Sequence, residues 1–441
     1  MTNTSMCQTS SQLLASLLIL AATSVASGEA AAAQQIPVTA SPALEQAWQG
    51  YYTALDEMRR KMEATPRFQH NPQDRAKAYH TLMEMQAMAY NFVVAPRMTH
   101  PRIYKNLSWQ TNIYTLGQNG PDFIYGNIFL DGAQIYRLTG RLGAVKLLLI
   151  QIFNGLEGDP GFKTTADYDL ANMQVGADGR FEIILGGPKR PGNWIPLDPK
   201  VGYQHVFIRR ALADWSDDPG ELEIARISAI ERGHYDGDEF EEAAMAARIH
   251  RAENFIRYCT EVYNIGLYDM YLTGAKGERN RMSLLPGTVT SQVGSTFSNY
   301  AMAIFHLADD EALLIELPKV PDGVYWSFQT GDVWSRSLDF NERQTSINMA
   351  KAQVDADGGI RIVVSKQDPG VANWLDTAGR IEGTIVFRNY RAKTLAVPAS
   401  RVAKLVELPA ILPQGTAKVT PGERQAALNA RRRGFRKLLG E

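Results

Sequence analysis

The chain has 441 residues, a formal net charge of −1, 21% charged residues and 45% hydrophobic residues. This length is enough for two or three domains with sizeable cores, and the composition is that of an ordinary soluble protein. The near-neutral balance lacks the clustered excess of lysine and arginine that nucleic-acid binding requires, so no nucleic-acid partner is predicted.

The first 33 residues resemble an export signal. An apolar run over residues 13–22 has about the length of a signal-peptide core, and small residues follow it as far as Ala33. An uncleaved anchor is the alternative, but a membrane-spanning helix needs about 20 apolar residues. We therefore predict a cleaved signal peptide over residues 1–33, a periplasmic or secreted mature protein, and no membrane span.

The two cysteines predict a mature chain without an intramolecular disulfide. Cys7 precedes the apolar run of the signal and would leave with it, so Cys259 would remain alone. Cys259 stands at helical spacing among apolar residues, which predicts a buried small hydrophobe. Stability must then come from core burial.

Residues 34–98 are predicted to form an N-terminal helical segment. Its first helix covers residues 42–64 with Ser41 as the cap, and its second covers residues 72–93. The spacing of apolar residues predicts the buried faces. These faces consist of Leu44, Trp48, Tyr51, Leu55 and Met58 in the first helix, and Tyr79, Leu82, Met83, Ala87 and Tyr90 in the second.

Strand patterns then dominate residues 99–235, which we predict to be a first β-sandwich half. Predicted strands at 123–130 and 133–139 flank Asp131-Gly132, a dipeptide typical of β-hairpin turns. The strand predicted at 144–153 is apolar except for Lys146 and Gln151.

A long helix over roughly residues 239–272 is predicted to bridge two β halves. Asp238 and Glu241 form a capping box at its start. The bridge, residues 236–273, leads to a second β-sandwich half over residues 274–400. The remaining segment, residues 401–441, is basic and ends in an amphipathic helix over 421–439. This helix either contacts an anionic surface or partner, or packs on the protein as a solvated basic helix.

Two stretches of the chain repeat one another. Residues 174–187 align without gaps to residues 353–366 and are identical at 6 of 14 positions. Each stretch is followed by a Pro-Gly turn, an Asn-Trp pair and a strand that carries Val-Phe and an arginine. The shared order of these motifs predicts an internal duplication of a β unit.

The repeated polar and aromatic residues are the first candidate ligand-binding set. They are Asn193, Trp194 and Arg209 in the first half, and Asn373, Trp374 and Arg388 in the second. Indole faces, amide groups and guanidinium groups can form a pair of pseudo-equivalent ligand sites, or one site at the junction of the halves. Alternatively, each tryptophan closes the end of a sandwich while asparagine and arginine tie loop backbone together.

The second half contains another candidate set without an obvious counterpart in the first. Trp326 and Trp334 could line a pocket, although Tyr325 and Trp326 must face opposite sides of a strand. A carboxylate beside aromatic rings can have a raised pKa and act as an acid or a base. The candidate catalytic residues are Asp332, Asp339 and Arg343. An aromatic core with surface carboxylates is the alternative.

Common catalytic motifs are absent from the sequence. It has no Gly-x-Ser-x-Gly elbow, His-Glu-x-x-His, Walker loop, Gly-x-Gly-x-x-Gly or Cys-x-x-Cys. The seven histidines are scattered and form no short ligand pair. We therefore predict no metal site and no cofactor.

Several motifs of the second half resemble the bacterial domain-of-unknown-function family numbered 1214. They are Tyr325-Trp-Ser-Phe-Gln329, Trp334, Ser337-Leu-Asp339, Asn348, Asp357-Gly358, Asp368-Pro-Gly370, Asn373-Trp-Leu-Asp-Thr377 and Arg388-Asn-Tyr390. The first half is similar to the companion family numbered 1254, through Asn119-Gly-Pro-Asp122, Tyr125, Pro191-Gly-Asn-Trp194 and Arg209. The resemblance covers roughly residues 100–395 and implies an antiparallel β-sandwich of jelly-roll type. It implies no mechanism, because the family has no established common activity.

The predicted fold is mainly β with α: two related antiparallel β-sandwich halves of jelly-roll type, bridged by a long helix and preceded by helices. The predicted function is binding of a small, partly apolar or sugar-like ligand by an exported protein. The alternative is a cofactor-independent hydrolase, lyase or isomerase that uses carboxylate and arginine chemistry. The sequence leaves the oligomeric state open.

Overall fold

Helices precede and separate two β-rich halves in the computed structural model, which describes residues 39–70, 72–106, 116–229, 240–285 and 294–439. The predicted signal peptide and Asp238 lie outside these residues. The mainly β fold with a helical N-terminus and a helix between two related halves is confirmed.

The N-terminal segment contains α1 (Pro42–Glu63), α2 (Pro66–His70) and α3 (Pro72–Ala89), and a π-helical turn (Tyr90–Val94) extends α3. The Ser41 side chain accepts a hydrogen bond from the Leu44 amide at 3.4 Å, which confirms the predicted cap.

The predicted buried face of the second helix is wrong for Tyr79, Met83 and Tyr90, whereas Leu82 is buried as predicted. Tyr79, Met83 and Tyr90 are 47%, 65% and 60% exposed, whereas Met85 and Met88 are buried. Apolar residues recur at helical spacing on more than one face of this helix. The face that is buried also carries the carboxylates Asp74 and Glu84. Those carboxylates pair with buried arginines of the second half, so ion pairing has selected a face that apolar spacing alone does not identify. The predicted buried face of α1 is also wrong at Trp48, which is 48% exposed.

The described residues of the first half form nine strands in two sheets. The strands are β1 (Tyr104–Asn106), β2 (Phe123–Leu130), β3 (Tyr136–Arg141), β4 (Leu147–Phe153), β5 (Thr164–Asp169), β6 (Arg180–Leu185), β7 (Asn193–Ile195), β8 (Gln204–Ala211) and β9 (Glu221–Arg226). A five-stranded sheet has the order β1-β2-β8-β4-β5 and a four-stranded sheet the order β7-β6-β3-β9. Strands β6 and β7 are parallel, and the other pairs are antiparallel.

Nine strands in the same arrangement form from the part of the second half that the structure describes. They are β10 (Ser283–Leu284), β11 (Ser298–His306), β12 (Glu311–Leu317), β13 (Tyr325–Gly331), β14 (Ser346–Asn348), β15 (Ile360–Ser365), β16 (Trp374–Asp376), β17 (Glu382–Tyr390) and β18 (Ala399–Lys404). The sheet orders are β10-β11-β17-β13-β14 and β16-β15-β12-β18, again with one parallel pair, β15 with β16. Adding nine to each strand number converts one half into the other, as a duplication requires.

The hairpin predicted around Asp131-Gly132 is wrong. Strand β2 pairs with β1 and β8, whereas β3 pairs with β6 and β9 in the other sheet. The Asp-Gly turn therefore carries the chain between sheets. The Asp131 amide donates to the Tyr136 hydroxyl at 3.0 Å and the Gly132 amide to the Val201 carbonyl at 2.9 Å, so the turn is held by contacts outside a hairpin ladder.

The remaining helices connect and close the two halves. They are α4 (Glu242–Tyr258), a π-helical segment (Cys259–Gly266), α5 (Leu267–Gly274), α6 (Leu408–Ile411) and α7 (Pro421–Leu439), with short 3-10 turns at Leu170–Asn172 and Leu405–Glu407. The basic helix α7 packs on the body of the protein. Its Phe435 is buried near Trp215 and Phe340, and its Arg424 donates to the Val371 carbonyl at 2.6 Å.

Strand alternation gives each five-stranded sheet two different faces. One face packs on the four-stranded sheet of its own half, with Ile208 in the first core and Phe387 in the second. The opposite faces of the two five-stranded sheets contribute Phe123 and Tyr390 to one shared cluster. The two sandwiches therefore meet through these faces. Beside this contact, residues of the helical segments such as Met88 and Phe255 pack with strand residues such as Phe129 and Ile304 in a second cluster, the helical cluster.

Candidate junction site

A cavity of about 100 Å³ lies where the two five-stranded sheets and the helices meet. Strands β2 and β8 line it from the first half, β11 and β17 from the second, and α3, α4 and α5 from the helical layer. Its polar and ionisable lining residues include Tyr125, Asn127, Glu157, His205, Arg209, Tyr300, Arg388 and Tyr390. The volume admits several water molecules or a small organic molecule.

The duplication places one arginine from each half in this cavity. Arg209 donates to the Gln151 side-chain oxygen at 2.6 Å, and Arg388 donates to the Gln329 side-chain oxygen at 2.7 Å. Arg388 also donates to the Gln118 carbonyl. Gln151 on β4 and Gln329 on β13 occupy equivalent register positions, so each half holds its arginine in the same way.

Both arginines are buried and, within the described ranges, neither forms an ion pair with a carboxylate. Arg209 and Arg388 are each only 5% exposed. Glu157 interacts electrostatically with Arg209, but burial disfavours the charged form of that carboxyl group. A buried charge is costly unless it is paired, and its partner can be a bound ion. The two guanidinium groups thus give the cavity a positive character that an anion would offset.

Tyrosines stand opposite the arginines in both halves. Tyr125 pairs in register with Arg209, and Tyr300 with Arg388. The Tyr125 oxygen accepts from the Gly120 amide at 2.8 Å, and the Tyr300 and Tyr390 hydroxyls are 3.1 Å apart. Burial raises the pKa of Tyr125 and of Tyr390, so both stay neutral hydroxyls that can donate hydrogen bonds.

The cavity also contains a buried acid–base pair, Glu157 and His205. The Glu157 Oε2 atom lies 3.7 Å from His205 Nδ1, and His205 is 3% exposed. Burial raises the pKa of Glu157 to about 7. Burial, with the nearby Arg209, lowers the pKa of His205 to about 3. Sequence reasoning missed this pair because the two residues stand alone in unrelated loops and strands.

The predicted Asn-Trp pairs lie outside the junction cavity. The Asn193 side chain accepts from the Gln174 amide and donates to its carbonyl, both at 2.8 Å. Asn373 forms the same two bonds with Gln353, at 2.8 and 2.7 Å. These contacts hold the loops, as the structural alternative expects.

The two tryptophans of those pairs bond to the preceding strand ends. Trp194 donates to the Gly186 carbonyl at 3.1 Å, and Trp374 donates to the Ser365 hydroxyl at 3.0 Å. Of the duplicated set, the structure brings only Arg209 and Arg388 together.

The candidates of the second half are dispersed. Trp326 belongs to the second sandwich core, and Trp334 packs in the helical cluster, where its indole donates to the Asp74 carbonyl at 2.8 Å. Asp332 is buried and accepts from the Trp334 and Arg336 amides at 2.9 and 3.1 Å.

Asp339 and Arg343 lie in a shallow surface cleft. The Arg343 side chain is 50% exposed and forms an ion pair with Asp376 at 2.9 Å. Asp339 accepts from the Glu342 amide at 3.4 Å. Neither residue lines the junction cavity, and a catalytic role for them stays a prediction.

No helix in the described part of the chain combines the length and apolarity needed to cross a membrane. The described histidine, cysteine and acidic residues form no group of three that could hold a metal ion.

Comparison with known proteins identifies part of the chain. Residues 306–394 match the family described as "Protein of unknown function (DUF1214)", which confirms the predicted resemblance there. The similarity of the first half to the 1254 family stays a prediction. No curated protein matches the chain.

One solved structure extends the likeness beyond that segment. An uncharacterised protein from Burkholderia cenocepacia is 27% identical with a TM-score of 0.74, over 82% of this chain and 98% of that chain. A protein from Vibrio parahaemolyticus is 12% identical with a TM-score of 0.41, over 74% of this chain and 100% of that chain. Residues 306–394 are therefore similar to the DUF1214 family, within a fold that the Burkholderia protein shares.

Proposed function

We propose that this protein binds one small organic acid in the junction cavity. Its carboxylate would lie between Arg209 and Arg388, and its apolar part against the aromatic and aliphatic walls. The observation that carries this proposal is the convergence of two buried guanidinium groups without a described ion-pair partner. Guanidinium groups match carboxylate geometry, and a bound carboxylate would offset charges that are otherwise expensive to bury.

The walls of the cavity favour an acid with an apolar body. Phe207, Phe255 and Met302 line it together with Leu267 and Leu285. The Arg209 guanidinium carbon already lies 4.3 Å from the centre of the Phe207 ring, so charge and aromatic surface are adjacent. A neutral sugar would leave both arginines without a counter-charge, which makes an acid the better ligand class.

The fold supports a single shared site in preference to two separate ones. Arg209 comes from β8 and Arg388 from the equivalent strand β17, and both line the same cavity. Duplication has therefore placed two copies of one arginine–glutamine pair at one junction. Export of this binding protein, directed by residues 1–33, is part of the proposal and rests on the sequence pattern alone.

The test is a thermal-shift comparison of benzoate with its neutral analogue benzamide, on the mature protein from residue 34. At about a hundred times its Kd, a ligand adds about 2.7 kcal/mol to stability. Unfolding entropy is about 2.1 cal/mol/K per residue, so for roughly 400 residues this corresponds to about 3 °C. We expect that shift with benzoate and none with benzamide.

Matched variants locate the site. Arg209→Met and Arg388→Met should each remove the benzoate shift, because each deletes one buried guanidinium while keeping much of the side-chain volume. Arg180→Gln is the control, since Arg180 is an exposed arginine on β6 outside the cavity. An equal response to benzoate in the folded Arg209→Met and Arg388→Met variants would refute the proposed site.

A further inference from the structure

The Glu157–His205 pair lies in the cavity of the proposed acid site, beside Arg209. Glu157 follows β4, and its side chain is 12% exposed. His205 is the second residue of β8, four residues before Arg209 on the same strand. A ligand held by Arg209 is therefore placed near an acid and an imidazole that neither sandwich core requires.

The hydrogen bonds around His205 determine where its proton lies. Asn127 donates through Nδ2 to the Tyr104 carbonyl at 3.3 Å, so its Oδ1 is the acceptor that faces His205. His205 Nε2 lies 2.9 Å from that oxygen and must carry the proton. His205 Nδ1 is then a bare lone pair. It is buried and has no hydrogen-bond partner among the described side chains and backbone.

That lone pair faces the carboxyl group of Glu157, which makes a protonated Glu157 the complementary state. Burial raises the Glu157 pKa to about 7, with Asp159 adding to the shift and Arg209 opposing it. Asp159 is itself paired with Arg251 at 3.0 Å. From the helical layer, Tyr258, Cys259 and Tyr263 also face Glu157, and each of them has its pKa raised by burial and by that carboxylate.

We infer that the junction cavity catalyses proton transfer on a bound 2-oxo acid, with Glu157 as the group that takes and returns the proton. The inference rests on the proposed function, because Arg209 and Arg388 hold the carboxylate of the substrate. A ketone beside that carboxylate makes the neighbouring C–H bond acidic enough for a carboxylate base.

The reaction is a keto–enol tautomerisation. The Glu157 carboxylate accepts the proton from C3, and the C–H electron pair becomes the C2–C3 double bond while the ketone oxygen becomes an enolate. The enolate oxygen then takes a proton from Glu157, which restores the carboxylate. One C–H bond breaks, one O–H bond forms, and no electrons are gained or lost. The guanidinium groups stabilise the developing negative charge.

His205 is a positioning residue in this scheme. Its bare Nδ1 lies 3.7 Å from Glu157 Oε2, and this lone pair favours the protonated carboxyl group over the charged carboxylate, while Asn127 fixes the imidazole tautomer.

Deuterium exchange at C3 of 2-oxobutyrate and phenylpyruvate, followed by proton NMR in D2O, tests the inference. We expect the mature protein to accelerate exchange over a buffer blank. Glu157→Gln should lower the rate by at least a hundredfold while benzoate binding is kept, because it removes only the proton acceptor. Glu157→Asp retains a carboxylate at a longer reach and should lose at least tenfold. Glu182→Gln, an exposed change on β6, is the control.

The outcomes separate this inference from the proposed function. Binding of 2-oxobutyrate with exchange no faster than the blank would overturn the inference and leave the acid site intact. An unchanged rate in folded Glu157→Gln would overturn it as well. A protein that binds neither 2-oxo acid nor benzoate would remove the acid site itself. His205→Gln should shift the pH midpoint of the rate and leave exchange measurable, whereas a merely structural histidine would not move that midpoint.

Discussion

Buried Glu157 and His205 should give opposite pH dependences of stability that nearly cancel in the native protein. Burial raises the Glu157 pKa from 4.5 to about 7, so the folded state holds a proton that the unfolded state releases. This stability is complete below pH 4.5 and is lost as the pH rises towards 7. Burial lowers the His205 pKa from 6.5 to about 3, so its contribution is complete above pH 6.5 and is lost as the pH falls.

The size of each effect follows from about 1.36 kcal/mol per pKa unit. Between pH 5 and pH 7, Glu157 removes about 2 kcal/mol from the free energy of unfolding, because the group begins to ionise in the folded state before pH 7. Over the same interval His205 adds about 2 kcal/mol. The two residues together therefore change stability by less than about 1 kcal/mol over that interval.

Single variants should reveal the separate pH dependence that each residue gives to the free energy of unfolding. The stability difference between Glu157→Gln and the native protein should grow by about 2 kcal/mol from pH 5 to pH 7, in favour of the variant. The corresponding difference for His205→Gln should fall by about 2 kcal/mol over the same interval.

Urea unfolding at pH 5, 6 and 7, monitored by tryptophan fluorescence, gives these differences at matched m-values. Titrations elsewhere in the chain cancel because they are common to the native protein and each variant. Differences that stay constant with pH would refute the assigned pKa shifts.

Three further predictions concern packing. Arg336→Met should cost about 3–5 kcal/mol of unfolding free energy, because it leaves Glu84 without its partner; Glu84 is 5% exposed and bonded to Arg336 at 2.7 and 2.6 Å. In urea unfolding, Asn373→Ala should cost about 1–3 kcal/mol and Asn193→Ala, whose bonds are exposed, about 0.5–1.5 kcal/mol. Neither should change benzoate affinity, because neither side chain lines the cavity. Cys259 is fully buried with a raised pKa, so a thiol reagent should label it only at the rate of unfolding.

Each of these has a contrary outcome. A native melting temperature in Arg336→Met would mean that the ion pair does not hold α3 on the second half. Loss of benzoate binding in folded Asn373→Ala would mean that the Asn-Trp loop takes part in ligand binding. Rapid labelling of Cys259 in the native protein would contradict its burial.

The sequence pattern was most informative where physical periodicity is simple. Strands such as 123–130 alternate or run apolar between turn residues, and the structure has β2 at the same positions. The repeated order of motifs identified the duplication, because both halves bury the same strand faces. It also singled out Arg209 and Arg388, which the structure brings to one cavity.

Other features depended on contacts between distant segments. Asp131-Gly132 is a dipeptide typical of hairpin turns, but the strands before and after it join different sheets. The packing of the whole sandwich determines that choice of sheet. The face of α3 was set by ion pairs to the second half, which helical spacing does not encode. Glu157 and His205 have shifted pKa values because they are buried close together, and no local sequence motif indicates that proximity. The glutamines that bind the two arginines could be found from the sequence, because Gln151 and Gln329 occupy equivalent positions in the two halves.

Arg209 and Arg388 are proposed to hold a single carboxylate between the two halves. Isothermal titration with benzoate of the mature protein, Arg209→Met, Arg388→Met and the double variant measures how many carboxylates bind and which arginines hold them. We predict one benzoate per chain, loss of affinity in each single variant, and a double variant no weaker than the poorer single one. Two benzoates per chain, or native affinity in the double variant, would contradict the claim.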